Sequence, residues 1–474
     1  MLLALALTSA CATNPVTGRP QFVLMSEDQE IALGRKSDPQ ITASMGLYDD
    51  EALQRYVEGV GLPMARASER PGLPWQFRVV DDPVVNAFAL PGGFIYVTRG
   101  ILASMASEAE LAGVLGHEIG HVTARHSVSQ YTKQMGAQLV LLPTAVLLPA
   151  ELQGLGGALL GTGFQLLFLK YGRDDERQSD ELGLGYMARA GYEPTEMVSV
   201  FQTLGRQSQA SDGGAVPEWL STHPNPANRA QLIRQQIARL PARPGAGKVG
   251  REAFVQHIDG LVYGEDPREG FFSDANVFHH PGLEFRVAFP KGWKTLNQRA
   301  VVAAVSPEQD AVIQLALAKG ESAEQAASAF LAGEGIQSTP VERGRIGGLE
   351  AATAEFAVAG QSPLRGSAAF VEYGGHVYGL LGYSPQAKYG ERQATLRAAL
   401  QSFGRETDRQ VLEVQPWRLQ IVTPNQTLSQ AAFAKAYPGP VSADELARIN
   451  QLDQGESYPV GKPAKRVVGK SLPR

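Results

Sequence analysis

Residues 115–126 read LGHEIGHVTARH, a short stretch that carries two histidines and a glutamate through an otherwise apolar segment. His117 and His121 are four residues apart, so on an α-helix they share one face and can turn both imidazoles toward a single ion. Glu118 follows His117 by one position, about 100° around the helix from it and about 60° from His121. It borders such an ion without being aimed at it. Hydrolytic zinc needs this division of labour: two neutral nitrogens hold the metal and a nearby carboxylate takes a proton from water. Histidine is scarce, with 8 in 474 residues, and a chance HExxH is expected in on the order of one such chain in a hundred.

Working outward, Ser107 and Glu110 have the spacing of a helix N-cap and its third residue, which starts the helix about ten residues before His117. Gly113, Gly116 and Gly120 fall inside the same helix, where each costs roughly 0.5–1 kcal/mol against alanine. Three in one short segment predict close approach by another backbone. Two histidines leave a catalytic zinc one protein ligand short. A metzincin would place that ligand six residues beyond His121, where Ser127 stands, and His126 lies on a different helical face and reads as structural. Downstream, GRDDERQSDELGLGYMARAGYEP (172–194) has an acidic start, Arg189 in its last turn, Gly191 beyond it and Pro194 as a stop, so it reads as a second helix. Glu176 and Asp180 share a face of it, so one could ligate while the other hydrogen-bonds a ligand histidine. Asp174 and Asp175 need only the helix dipole to explain them. Spacing alone does not choose among Glu176, Asp180 and Glu181.

The flanking pattern is α+β. An extended tether precedes a helix start at Ser26, and helical patterning continues to about Ala67. Residues 75–80 and 94–98 are β-rich and read as antiparallel strands beside the motif helix. From 137 to 169 the chain is almost uncharged, but Pro143, Pro149, Glu151 and several glycines break the run of about 20 apolar residues that a membrane span requires. It reads as two short apolar helices around a glycine-rich loop. A last helix falls near 228–239, and PARPGAGKVG (241–250) marks a boundary. The organisation expected is a helical domain with a small antiparallel sheet over 12–240, a linker over 241–274, a small α+β domain over 275–406 and a further module over 413–469.

Composition excludes several partners. The formal charge is −5 with no basic block, so nucleic acid is not expected. A single cysteine, Cys11, rules out an intramolecular disulfide framework and a cysteine zinc cage. The opening MLLALALTSAC resembles the end of a bacterial lipoprotein signal peptide, with Cys11 as the acylated residue of the mature chain; Thr8 replaces the usual leucine and a basic start is missing, which suggests a start upstream of Met1. That resemblance implies export, a lipid anchor in a membrane and, with Ala12 after the cysteine, the periplasmic side of the outer membrane.

HEIGH (117–121), ERQSDELG (176–183), STHPNPANR (221–229) and VVNAFALPGGFIYVTRG (84–100) together resemble the gluzincin metallopeptidases related to HtpX, BepA and the CAAX prenyl proteases. The resemblance covers roughly residues 20–240. It implies one Zn2+ held by His117, His121 and Glu176, with Glu118 as general base and Asp180 and Arg229 supporting the ligands. Ser179 stands where the family has alanine. His223 would stabilise the oxyanion or take the fourth zinc position in a latent form. Asn86 would lie beside an edge strand that an extended substrate can join. FHHPGLEFRVAFPKGW (278–293) is similar to the opening of PsbP/Mog-like domains, and residues 418–468 resemble a divergent LysM module, which implies peptidoglycan as a partner; His279 and His280, adjacent in a strand, face opposite ways and form no metal site. The function expected is a zinc endopeptidase of the bacterial cell envelope acting on misfolded or unassembled proteins. The alternative is a chaperone-like or peptidoglycan-tethering protein with a structural metal.

Overall fold

The computed structural model describes residues 11–138, 170–210, 219, 222–223, 226–240, 246–360 and 362–472. The apolar stretch expected to form two helices and a loop lies, over 139–169, outside the described residues. Among the described residues, no helix is long and apolar enough to cross a membrane. The chain divides into two compact units, one joining the described residues up to Glu265 with Trp417–Gly469, the other containing Asp266–Pro416.

In the first unit the motif helix, Glu108–Thr123, is buried along its whole length. Its few polar groups sit at its two ends or around the metal face and are buried too, so it has no solvent side and behaves as a core helix. Ser107 caps it by accepting from the Glu110 backbone N–H at 3.1 Å, while the Glu110 carboxylate accepts from Ala106 N at 2.6 Å, one residue earlier than a reciprocal capping box requires. The carboxylate helix, Arg173–Arg189, packs along it. Glycines set that seam: a Cβ added at Gly120 would lie 3.0 Å from Ser179 Cα, and one at Gly183 would lie 2.9 Å from His117 N. The expected close approach is thus made by the helix that supplies Glu176 and Asp180.

The single helical run expected from Ser26 to Ala67 is two helices, Glu27–Met45 and Glu51–Arg66, capped by Ser26 and Asp50. A three-stranded sheet follows in the order Gln76–Val80, Phe94–Thr98, Ala87–Leu90. Here the expectation that residues 75–80 and 94–98 form antiparallel strands fails, because Gln76–Val80 pairs parallel with Phe94–Thr98. The reason is the intervening strand, which makes the antiparallel hairpin through Pro91-Gly92-Gly93 and leaves the far edge of Phe94–Thr98 to the first strand. Gly92 has φ 83° and a Cβ there would sit 2.7 Å from Ile31 Cα, so the turn needs glycine for conformation and for space.

The segment 241–274 is not the linker expected. Helix Arg251–His257 and strand Val262–Tyr263 lie in it, and Phe254, Val255, Ile258 and Leu261 are buried in the same core as the motif helix. Strand Trp417–Val422 pairs with both Val262–Tyr263 and Ala464–Val468, and helices Gln430–Ala436 and Ala443–Ile449 lie between. This last module is tied to the start of the motif helix. Lys465 is buried and its Nζ donates to Ala103 O and Met105 O at 2.8 Å each, while Gln451 Nε2 donates to Ser104 O and to the Glu110 carboxylate.

The second unit is α+β. Its eight-stranded antiparallel sheet includes the strands Val301–Val305, Val312–Ala318 and His376–Pro385, with helices Ala323–Leu331 and Tyr389–Leu400 packed on it. The long strands Leu349–Val358 and Leu364–Tyr373 were not anticipated. The first is alanine-rich and the second is buried as one continuous run in its middle, and both features weaken the alternation that announces a strand. His279 pairs with Glu406 at 2.5 Å and His280 caps a short turn by accepting from Leu283 N.

Candidate metal centre

Four side chains converge where the two helices cross. Ligand atoms of His117, His121, Glu176 and His223, all buried, lie within 4.8 Å of one another. His121 Nε2 is 3.0 Å from His117 Nε2, which is 3.2 Å from His223 Nδ1. Glu176 Oε1 is 2.9 Å from His223 Nδ1 and 3.4 Å from His121 Nε2. Four donors at zinc bonding distance around a tetrahedron stand roughly 3.3–3.6 Å apart, so the set has about the right span. Its chemistry also fits: three imidazole nitrogens and one carboxylate oxygen, all buried, face one another, and this is a donor set that zinc takes. Burial pushes the His117 pKa down to about 4 and that of His121 well below its ordinary value, so both present lone pairs at neutral pH.

Glu118 is fully buried and its two carboxylate oxygens make no aligned hydrogen bond among the described residues. Its Oε1 lies 3.7 Å from His223 Nε2. Burial pushes its pKa up to about 7 against the pull of a charged His223, which suits a group that must take and return a proton.

Behind the four, the supports differ for each histidine. His117 Nδ1 lies 3.0 Å from Asp180 Oδ1, the acceptor it needs if Nε2 is to face the ion with a lone pair, and 3.3 Å from Arg229 Nη2. Arg229 grips Asp180 with Nε and Nη2 at 2.9 and 2.6 Å and sets Nη1 2.5 Å from Glu176 Oε2, there as a close ion pair whose angle is poor for a hydrogen bond. The guanidinium lies over the Phe201 and Trp219 rings. Burial raises the carboxyls of Glu176 and Asp180, but the charges of His223 and Arg229 at Glu176, and of Arg229 at Asp180, more than offset it and keep both ionised. The third candidate, Glu181, points to solvent. Ser179 and His126 stand behind His121: His126 Nδ1 is 3.1 Å from His121 Nδ1 and 3.2 Å from Ser179 Oγ.

Asn86 is buried just before the edge strand Ala87–Leu90, with its Oδ1 unpartnered among the described residues. It neighbours the site through Val85, whose carbonyl accepts from Trp219 N at 3.4 Å. Cys11 begins a short strand, Cys11–Thr13, paired with Pro20–Phe22, and is not part of the cluster. Two aromatic residues escaped the sequence reading. Trp219 stacks on His223 with centroids 4.7 Å apart, and its position four residues earlier was a usable signal. Tyr171 lies 3.9 Å over His121 and hydrogen-bonds Ser127 through its hydroxyl; nothing local in the sequence marks it.

An HExxH helix crossed by a second helix that brings a carboxylate to the same point defines a metallopeptidase of the HExxH class. The family model described as Peptidase family M48 matches residues 51–237, and mitochondrial metalloendopeptidase OMA1 of Saccharomyces cerevisiae is 30% identical over 246 residues, 48% of this chain and 68% of that one. The chain belongs to peptidase family M48. The OMA1 of Arabidopsis thaliana is 33% identical over 214 residues, 44% of this chain and 42% of the relative. The beta-barrel assembly-enhancing protease of Yersinia pestis is 30% identical over 260 residues, 53% and 52% of the two chains. This chain spans about half the length of most of the curated relatives that it matches. Among solved structures, a cyanobacterial PsbP from Synechocystis aligns at 12% identity and TM-score 0.23, over 28% of this chain and 94% of its own.

Proposed function

We propose that this chain is a zinc metalloendopeptidase with a single zinc site, and that it hydrolyses peptide bonds in misfolded or unassembled proteins of the bacterial cell envelope. The observation that carries the reading is Glu118: a buried carboxylate whose oxygens make no aligned hydrogen bond among the described residues lies beside four convergent ligand atoms, where a general base is needed. A zinc ion held by His117, His121 and Glu176 would polarise the scissile carbonyl and make an attacking water more acidic. Glu118 takes the proton from that water and returns it to the leaving amine. Asp180 and Arg229 hold His117 and Glu176 in place while this happens. An extended substrate adds beside Ala87–Leu90, with the Asn86 side chain available to it.

His223 joins the other three ligand atoms, so in this reading it would complete a closed, latent set if it also bound the ion. Four protein ligands make a closed site, and a hydrolytic site keeps one position open. Cleavage therefore requires His223 to leave that position, from where its imidazole can stabilise the developing oxyanion. The closed set is also what favours the second reading, a chaperone-like or peptidoglycan-tethering protein with a structural metal. The two readings part at Glu118→Gln. A protease loses about 10²- to 10⁴-fold in cleavage of an unfolded casein substrate while keeping its zinc. A variant that cleaves as well as wild type refutes the assignment of Glu118, and a wild type that cleaves nothing while holding zinc favours the structural metal.

Placement in the envelope rests on the likeness to a protease named for β-barrel assembly and on the signal-like stretch ending at Cys11. In this proposal acyl chains on Cys11 anchor the protein to the outer membrane, on the periplasmic side. The module over 413–469 contacts peptidoglycan in the manner of LysM, and the domain over 275–406 is PsbP/Mog-like. Mass spectrometry of the mature N-terminus checks the anchor, and an unacylated first residue other than Cys11 overturns it.

A further inference from the structure

His121 must offer Nε2 to a metal, because that atom faces His117 Nε2 and Glu176 Oε1. Its proton then belongs on Nδ1, since a neutral imidazole carries one N–H and one lone pair. For His117 the corresponding proton goes to a carboxylate, Asp180. For His121 it meets another histidine: His126 Nδ1, 3.1 Å away and buried. His126 can accept there only if its own proton is on Nε2, and the structure supplies the acceptor, Gln178 Oε1 at 3.0 Å. Ser179 Oγ lies 3.2 Å from the same Nδ1, whose single lone pair it shares with His121 when it donates. The polarity of the chain is fixed from its outer end: Gln178 sets the tautomer of His126, and His126 sets that of His121.

We propose that His126 is a positioning residue that holds His121 in its metal-binding tautomer, and that the outer end of this chain is Gln178. The inference rests on His121 being a zinc ligand. The neutral acceptor also leaves His121 less electron-rich than His117, whose partner is charged, so the two histidines contribute unequally to holding the ion.

The test uses the full chain and Zn2+ alone, titrated against a chromogenic chelator, with thermal melting of the metal-free proteins to check folding. His126→Leu fills the volume without an acceptor and is expected to weaken zinc binding about 10- to 100-fold. His126→Asn, whose Oδ1 can take the place of Nδ1, is expected to stay within about threefold of wild type. Gln178→Leu, at a half-buried position, tests the outer end if His126→Leu fails to fold, and is expected to weaken binding severalfold. Equal affinities for wild type, His126→Leu and Gln178→Leu overturn the proposal, as does an asparagine variant that binds no better than the leucine one. A wild type that binds no zinc overturns instead the assignment of His121 as a ligand.

Discussion

Substituting Gly183 with alanine tests whether the distance between two backbones sets the site. A Cβ at this position would sit 2.9 Å from His117 N, 3.0 Å from Gly116 C and 3.2 Å from His117 Cα. All three are backbone atoms of the motif helix, so no side chain can rotate away. Relief to ordinary contact near 3.4 Å takes a separation of about 0.4–0.5 Å between the helices. Alanine in a helix interior gains roughly 0.5–1 kcal/mol over glycine, while forcing a methyl into a packed seam costs about 1–3 kcal/mol. The second effect wins, and Gly183→Ala should lose about 1–2 kcal/mol, or about 2–6 °C in Tm. Gly185, two residues on, is the control. There a Cβ meets only Arg189 Nη1 at 3.5 Å, so Gly185→Ala should gain about 0.5–1 kcal/mol from propensity alone. Because Glu176 and Asp180 ride on the displaced helix, Gly183→Ala should also lose about tenfold in kcat/KM on an unfolded peptide, half an ångström being about half the displacement that costs 10²-fold. Circular dichroism melts of the metal-free proteins and a fluorogenic peptide assay read both effects. A Gly183→Ala protein as stable and as active as wild type refutes the argument that this seam sets the geometry.

Three further outcomes are expected. Arg229→Leu leaves the Glu176 and Asp180 carboxylates buried without their cation, and should destabilise the protein by about 3–5 kcal/mol in urea unfolding; an unchanged midpoint contradicts it. Glu108, in the first turn of the motif helix, accepts from Lys248, Tyr192 and Tyr56; burial raises its carboxyl, yet these donors outweigh burial and hold its pKa below the ordinary 4.5. Its stabilising contribution is therefore present above pH 4.5 and lost as pH falls below it, so the stability gap between wild type and Glu108→Gln should be open at pH 6–7 and close in acid. Zinc at a thousand times its dissociation constant should stabilise the fold by about 4 kcal/mol, and a chelator should remove both that increment and the activity, each restored by returning the metal.

The sequence by itself determined the motif helix, its cap at Ser107, the second helix and the shared face of Glu176 and Asp180. All of these follow from 3.6-residue periodicity and turn chemistry, which act over a few positions. It left Glu176, Asp180 and Glu181 unseparated until the family resemblance chose, and the structure separates them by burial, with Glu181 in solvent and the other two inside. Tertiary structure alone decided the parallel pairing of Gln76–Val80 with Phe94–Thr98, the packing of residues 251–263 into the first unit, and the use of Lys465 to cap backbone carbonyls 360 positions away. It also decided the supporting shell: Tyr171 on His121, and the run from His121 through His126 to Gln178. Those contacts join residues from separate elements, and their geometry is set by how closely helices can pack at glycine. A pattern of residue types along the chain encodes which face a side chain takes, but not which distant group will meet it there.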